Sequence, residues 1–221
     1  MTRSHLLLSA LLLVSVAGCE DPAADKPKAT VSSAAPSAAS TAKPATSAAA
    51  TTPASATALK IAPGKSTIGF VGSKVTGSHN GEFKSFTGSL ELSADKLEAS
   101  KVSLEIDMDS AKTDSDKLDG HLKSPDLFDV AKYPKAKFAS TAIKAGGDKG
   151  ATHTITGTLE LHGETKTISF PATVKVTDAE VTATSEFSIN RKDFKILYAG
   201  KADDLIRDDV LIKLNIAVPR K

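Results

Sequence analysis

The sequence predicts an all-β domain of about eight antiparallel strands, interrupted by one short helical insertion. The first observation is a period of two, in which apolar and polar residues alternate as they do in strands that bury one face. The longest alternating segments are residues 102–108, 168–176 and 210–218. The second observation is the turn chemistry between such segments. The predicted reversals are Asn80-Gly81, Gly146-Gly147-Asp148, His162-Gly163 and Asp178-Ala179.

The alternation stops between residues 110 and 134, and this segment is predicted to contain the helical insertion. Ser124, Pro125 and Asp126 have the order of an N-cap, a first-turn proline and an acidic residue at a helix start. Another short helix is predicted over residues 116–122. Strands with one apolar face can pack as a sandwich or close as a barrel, and periodicity alone leaves both arrangements open.

The first 18 residues have the three parts of a secretory signal peptide. Arg3 supplies the positive charge, residues 6–16 form an apolar run, and small residues precede the cleavage site. The run is shorter than the roughly 20 residues that a membrane-spanning helix needs. The sequence 16–19, Val-Ala-Gly-Cys, resembles the bacterial lipobox, whose cysteine is acylated after export. Cys19 is the only cysteine in the chain and is the predicted lipidation site, for example for palmitate.

Residues 19–58 are predicted to form a disordered tether, and residues 59–221 a single folded domain. The tether segment is rich in Ala, Ser, Thr and Pro and has no aromatic residue, so it cannot bury much apolar surface. Glu20 follows the lipid cysteine at a position where aspartate would indicate retention in the inner membrane. We therefore expect a lipid anchor in the outer membrane, with the domain facing the periplasm of the bacterial cell envelope.

Composition argues against several classes of function. The chain has a net charge of +2 at pH 7, no tryptophan and two tyrosines, which predicts no nucleic-acid partner. The histidines after residue 19 lack the spacing of a helical zinc site and have no cysteine partners, so no metal ligands are expected. No nucleophile is paired with a base, and we expect neither catalytic residues nor a cofactor.

Three motifs carry a resemblance to a known family. Residues 81–90 have the pattern G-x-F-x-x-F-x-G-x-L. Residues 121–134, which read HLKSPDLFDVAKYP, form the second motif, and residues 189–194 read I-N-R-x-D-F. In order and spacing they resemble the YceI-like family of periplasmic polyisoprenoid-binding, lipocalin-like proteins. The resemblance covers nearly all of residues 59–219. One departure is Lys195, which stands where the family usually has a glycine after the third motif.

The resemblance implies a lipocalin-like antiparallel barrel whose apolar channel holds a polyisoprenoid or another long-chain amphiphile. Plain core packing is the alternative role for each residue of the expected channel lining. That lining is Phe70, Phe83, Phe86, Leu122, Phe128, Phe138, Phe187, Ile189 and Phe194. Asn190 and Arg191 are candidates to contact the ligand's head group. The alternative for Arg191 is a structural ion pair with an acid such as Asp193.

The leading hypothesis is therefore a membrane-anchored periplasmic binding protein that is not an enzyme. The alternative is a structural or interaction module of the cell envelope with a packed barrel, and two copies could pair as a homodimer through a sheet edge. An enzyme acting on apolar substrates has the least support. An internal cavity, and the residues that line it, would discriminate between the first two hypotheses.

Overall fold

Fourteen strands, one α-helix and four 3₁₀ turns are found in residues 21–33, 56–93 and 96–220, which the computed structural model describes. The strands are β1 (Thr30–Ser33), β2 (Ala56–Ile61), β3 (Thr67–Lys74), β4 (Gly77–Phe83), β5 (Phe86–Ser93), β6 (Lys101–Asp107), β7 (Ala111–Thr113), β8 (Lys135–Ala145), β9 (His153–Leu161), β10 (Glu164–Val176), β11 (Glu180–Asn190), β12 (Gly200–Lys201), β13 (Asp204–Leu205) and β14 (Asp209–Pro219). The helix is α1 (Asp116–Lys123), and the 3₁₀ turns are Leu97–Ala99, Met108–Ser110, Asp148–Gly150 and Arg191–Phe194.

Twelve of these strands form one sheet, and its curl creates the interior of the domain. The strand order is β2-β5-β6-β8-β9-β10-β11-β14-β3-β4-β7, with β1 paired to β10 and with β12 and β13 as a separate hairpin. Neighbouring strands pair antiparallel, and the sheet curls strongly into a half-barrel. The predicted all-β class, the lipocalin-like antiparallel architecture and the helical insertion are confirmed, with more strands than the eight predicted.

Three of the four predicted reversals lie at strand connections. His162 and Gly163 both have positive φ, 51° and 76°, as the tight β9–β10 hairpin requires. The fourth prediction is wrong, because Asn80 and Gly81 lie inside β4 and the β3–β4 turn falls at residues 75–76. Gly81 serves a different purpose, since a Cβ at this position would overlap the ring of Phe70.

The insertion contains one helix, and the second predicted helix start is wrong. Ser124 ends α1 as its C-cap, and its hydroxyl donates to the carbonyl of His121 at 2.7 Å. Turns follow instead of a helix, and Asp129 has φ of 46°. Within the described ranges, no helix is long and apolar enough to cross a membrane.

Residues 21–33, which we call the N-terminal strap, lie on the barrel wall. β10 pairs with β11 only over 173–176, so the two strands diverge toward residues 164–172 of β10. The strap lies in this gap and pairs with both strands. On one side, β1 pairs with β10. On the other side, the backbone N–H of Ala29 donates to the carbonyl of Ser188 of β11 at 2.8 Å, and the N–H of Ser188 donates to the carbonyl of Pro27 at 2.9 Å.

The strap corrects the predicted disordered tether over residues 21–33. The sequence did not predict structure in residues 21–33, because the strap pairs mainly through its backbone and this pairing requires few apolar side chains. β2 begins at Ala56, three residues before the expected start of the domain. Residues 34–55, the predicted signal peptide 1–18 and Cys19 lie outside the described residues.

Ala29→Asp is expected to lower the free energy of unfolding by about 2 kcal/mol, because it places a charge where the side chain is 4% exposed and weakens strap docking. The neighbouring Thr30 is exposed, so Thr30→Asp serves as the matched control and should change stability by less than about 0.5 kcal/mol. Urea unfolding of both variants tests this. Equal stabilities for the two variants would contradict the docked strap.

Candidate functional site

The concave side of the sheet lines a cavity of about 210 Å³. Its walls carry apolar side chains from strands all around the half-barrel, and only Gly69, Ser185 and Arg191 depart from this pattern. Apolar cavities of about 150 Å³ are known to stay dry and to accept small hydrocarbons such as benzene. The interior walls therefore leave space for an apolar group.

Six of the nine side chains expected in the channel lining are on the cavity wall. They are Phe70, Phe83, Phe128, Phe138, Phe187 and Ile189. The other three are Phe86, Leu122 and Phe194, which are 3%, 8% and 0% exposed and pack into the surrounding core. Leu122 belongs to α1 and Phe194 to a 3₁₀ turn, so neither follows the strand alternation that directs side chains inward.

The sequence analysis did not predict most of the other residues of the cavity wall, because it selected mainly phenylalanines for the lining. Phe170 stacks on Phe187 with ring centroids 4.3 Å apart and an interplanar angle of 10°. The strand alternation was the signal that could have found the others, since inward positions of β10 and β14 recur at every second residue. These positions are Ile168, Phe170, Ala172, Val174, Val210, Ile212, Leu214, Ile216 and Val218.

Three phenylalanines from separate parts of the chain meet on the cavity wall. Phe70 of β3 lies 5.3 Å from Phe83 of β4, measured between ring centroids. Phe128, from the turns after α1, lies 6.2 Å from each of them. The cluster explains why the insertion matters to the site, since it supplies one of these rings.

Arg191 reaches the cavity wall, but its hydrogen bonds go to the protein backbone. Its Nη1, Nε and Nη2 atoms donate to the carbonyls of Ile196, Arg207 and Ile206 at 2.7, 3.1 and 3.3 Å. Nη2 also lies 3.4 Å from a carboxylate oxygen of Asp208. Burial lowers the pKa of the guanidinium, and the charge of Asp208 opposes that shift. The nearby acid is Asp208, and not Asp193 as the sequence suggested.

Asn190, the second head-group candidate, is not among the residues on the cavity wall. Its side-chain oxygen accepts a hydrogen bond from Lys192 N–H at 2.9 Å and caps the 3₁₀ turn. Arg191 and Asn190 therefore both hold the loop that joins β11 to β14. The polar lining of the cavity is completed by Ser185, whose hydroxyl donates to the carbonyl of Pro171.

Lys195, the departure from the family motif, has a left-handed backbone with φ of 58° and ψ of 22°. This conformation explains the family's glycine, which adopts it without steric cost. The Lys195 amine lies 2.5 Å from a carboxylate oxygen of Glu164. Their hydrogen bond raises the pKa of Lys195 and lowers that of Glu164. The side chain of Lys195 is 69% exposed, so the departure alters the surface of the barrel.

Asp119 fastens α1 to β7 beside the aromatic cluster. Its carboxylate accepts from the backbone N–H and the hydroxyl of Thr113, at 2.6 and 2.7 Å, and pairs with the amine of Lys112 at 2.7 Å. The hydrogen bonds from Lys112 and then Thr113 lower the pKa of Asp119 from 3.8 to about 2.

We expect the Asp119 carboxylate to stabilise the fold at neutral pH and to lose this effect in acid. Because its folded-state pKa is depressed, the contribution is complete above its ordinary pKa of 3.8 and disappears as the pH falls toward about 2. Asp119→Asn should therefore show a shallower loss of stability between these pH values than the native chain. Asp116→Asn is the control, since Asp116 also pairs with Lys112 but is 94% exposed. Identical acid profiles for the native chain and Asp119→Asn would contradict the assignment.

The histidines take part in local contacts. His121 packs edge-on against Tyr198 with ring centroids 5.0 Å apart, and its Nε2 lies 3.2 Å from Asp126. His162 lies 4.7 Å from the ring of Tyr133. In the described part of the chain, no group of three or more His, Cys, Asp or Glu side chains could hold a metal ion.

Curated relatives match part of this sequence. A UPF0312 protein of Pseudomonas savastanoi pv. phaseolicola is 47% identical over 94 residues, which are 42% of this chain and 48% of that protein. A UPF0312 protein of Pseudomonas putida is 45% identical over a stretch of the same length. The chain thus spans about half the length of the curated relatives it matches.

Solved structures share the fold at lower sequence identity. BcnA of Burkholderia cenocepacia superposes with a TM-score of 0.59 at 24% identity, covering 69% of this chain and 96% of that one. A polyisoprenoid binding domain from Saccharophagus degradans gives 0.57 at 19% identity, covering 74% and 99%. The YceI protein of Campylobacter jejuni gives 0.57 at 23% identity, covering 64% and 84%. The family model for the YceI-like domain matches residues 59–218, and this chain therefore belongs to the YceI-like family.

Proposed function

We propose that this protein is a non-catalytic binding protein that holds a polyisoprenoid or a similar long apolar lipid in its barrel, anchored to the cell envelope through acylated Cys19. The observation that carries the proposal is the interior cavity with an almost wholly apolar wall. The polyisoprenoid binding domain from Saccharophagus degradans, which has the same fold, supports this ligand class.

The size of the cavity determines how such a ligand would be bound. Its volume of about 210 Å³ lies below the roughly 300–1,000 Å³ of pockets for drug-sized molecules. A long chain would therefore require the aliphatic and phenylalanine side chains of the wall to change rotamer and separate. Each methylene buried there contributes about 0.8 kcal/mol, so a chain of many carbons would offset the cost of that adjustment.

The polar groups of the wall supply little head-group selectivity. The guanidinium of Arg191 and the hydroxyl of Ser185 both donate to backbone carbonyls of the protein itself. We propose that the apolar chain provides most of the affinity and that the head group remains outside the cavity. Ligands with different head groups and chains of similar length should then bind with similar affinity.

Lipid extraction from the purified protein tests the binding proposal. The full chain, purified from membranes and exchanged into a detergent that mass spectrometry distinguishes from cell lipids, should release a long-chain isoprenoid lipid on organic extraction. Repeated preparations that contain no such lipid, and that do not take up an added polyprenyl alcohol, would overturn the proposal. That result would favour an interaction module of the envelope.

Acylation and location require a separate test. Growth with an alkyne-tagged fatty acid should label the native chain and not Cys19→Ser, and only the native chain should sediment with membranes. Sucrose-gradient separation should place the native chain in the outer membrane and shift Glu20→Asp toward the inner membrane. An unlabelled native chain would refute the anchor and leave the binding proposal intact.

A homodimer formed through a sheet edge stays a prediction. β2 and β7 are the two ends of the sheet path, and each pairs along one side only within it. Multi-angle light scattering of the purified protein at several concentrations would give its mass directly. A monomer mass at every concentration would contradict the dimer.

A further inference from the structure

We propose that one end of the barrel, carrying Val75, Leu197 and Leu205, lies against the phospholipid surface and is held there by the N-terminal strap. We call this end the apolar tip. The inference deepens the proposed function and rests on the acylation of Cys19 that is proposed there. It assigns an orientation to the domain, in which the strap fixes the barrel to the bilayer instead of spacing it away.

The strap begins beside the apolar tip. Asp21 pairs with Arg207, with 3.3 Å between the carboxylate oxygen and Nη1. The backbone N–H of Arg207 donates to the carbonyl of Ser73 at 2.8 Å, two residues before the β3–β4 turn. Ala23 is buried with Val71 and Leu211 in a small second apolar cluster. The first described residues are therefore fixed to β3 and β14 close to that turn.

The short segment between Cys19 and Asp21 then limits the distance between the folded domain and the membrane. Cys19 precedes Asp21 by two residues, which separates their Cα atoms by at most about 7 Å. A free tether of 40 residues would instead give a root-mean-square separation of about 35 Å. With Cys19 acylated, the docked strap brings the start of the folded domain to the head-group layer.

The apolar tip concentrates exposed hydrophobic surface at this end. Four large hydrophobic residues are exposed in the described chain: Val75 at 56%, Leu197 at 61%, Leu205 at 49% and Val176 at 44%. Val75 lies in the β3–β4 turn, Leu205 in β13 and Leu197 in the segment before β12. The backbone N–H of Val75 donates to the carbonyl of Leu205 at 3.1 Å. Val176 ends β10, beside the turn to β11 at the opposite end of the barrel.

Charges around the apolar tip are balanced, which favours a bilayer over a charged protein partner. Lys74, at the end of β3, forms an ion pair with Asp204 of β13. Lys201 and Asp203 add one exposed charge of each sign. The tip thus lacks the cluster of basic residues that binds anionic lipid head groups, and its exposed side chains would contact the interface through apolar burial.

The absence of tryptophan from the sequence allows a direct depth measurement. Leu197→Trp and Leu205→Trp each place a single reporter on the tip, and Val176→Trp is the matched control at the opposite end. The acylated full chains are reconstituted into phosphatidylethanolamine–phosphatidylglycerol vesicles with or without brominated acyl chains. Both tip reporters should be quenched about twofold and shifted to the blue, as expected for side chains buried about 5–10 Å into the interface. The control should keep its emission.

A second variant tests the strap itself. Combining Ala23→Asp with Leu205→Trp should release the strap, so that quenching falls to the level of the control although the acylated protein still floats with vesicles. Quenching that is unaffected by Ala23→Asp would overturn the role of the strap.

The measurements distinguish a failure of the proposed orientation from a failure of the proposed anchor. Tip reporters quenched no more than Val176→Trp, in a protein that floats with vesicles, would overturn the membrane-facing tip and leave the anchor in place. A chain without an acyl group on Cys19 would refute the anchor and this orientation together. Circular dichroism of each variant verifies that the barrel is folded.

Discussion

Ala136→Phe is expected to yield a folded protein that binds long-chain lipid at least about 100-fold more weakly than the native chain. Ala136 of β8 is 4% exposed and lies on the cavity wall, so the added ring enters the space proposed for the lipid. Excluding about four methylenes from the cavity removes about 3 kcal/mol of binding free energy, since each contributes about 0.8 kcal/mol. Mass spectrometry of extracted lipid and titration with a polyprenyl alcohol measure the loss.

The matched control is Ala139→Phe on the same strand. Ala139 is exposed on the outer face, so the same added ring should leave lipid content unchanged. Overpacking at Ala136 can itself cost about 1–3 kcal/mol of stability, so thermal unfolding must accompany the binding measurement. Native lipid content in folded Ala136→Phe would show that the ligand does not occupy this cavity.

Arg191→Leu is expected to lower the free energy of unfolding by about 3 kcal/mol, because three backbone carbonyls lose a donor that is itself buried. The guanidinium is 5% exposed and connects β11 to the segment before β14 through the carbonyls of Ile196, Ile206 and Arg207. Denaturant unfolding measures the loss. The fraction that remains folded should keep its lipid, since apolar burial supplies most of the affinity.

Lys192→Met is the control for this variant. Lys192 also pairs with Asp208, at 2.9 Å, but its side chain is 47% exposed, and removing an exposed pair costs about 0–1 kcal/mol. The lipid content separates the two roles of Arg191. A stable Arg191→Leu protein without lipid would indicate that the guanidinium contacts the head group, contrary to the backbone role inferred from its hydrogen bonds.

The candidate site could be predicted only in part from the sequence. The alternation in β10 and β14 indicated which side chains share a face, and these faces do line the cavity. It carried no information about side chains outside strands, so Leu122 and Phe194 were expected in the lining although both pack in the core. The acidic partner of Arg191 could also not be predicted from the sequence, because Asp208 approaches Arg191 only after the loop between β11 and β14 folds back.

The local sequence pattern by itself determined that this is an antiparallel β domain with a helical interruption near residue 116, since the apolar period and the turn chemistry act between near neighbours. Tertiary structure alone decided that the inward side chains leave a cavity, because the spacing between walls depends on how far the sheet curls. It also decided that residues 21–33 complete the wall. A gap between two distant strands offers unpaired backbone groups, and almost any extended segment can satisfy them.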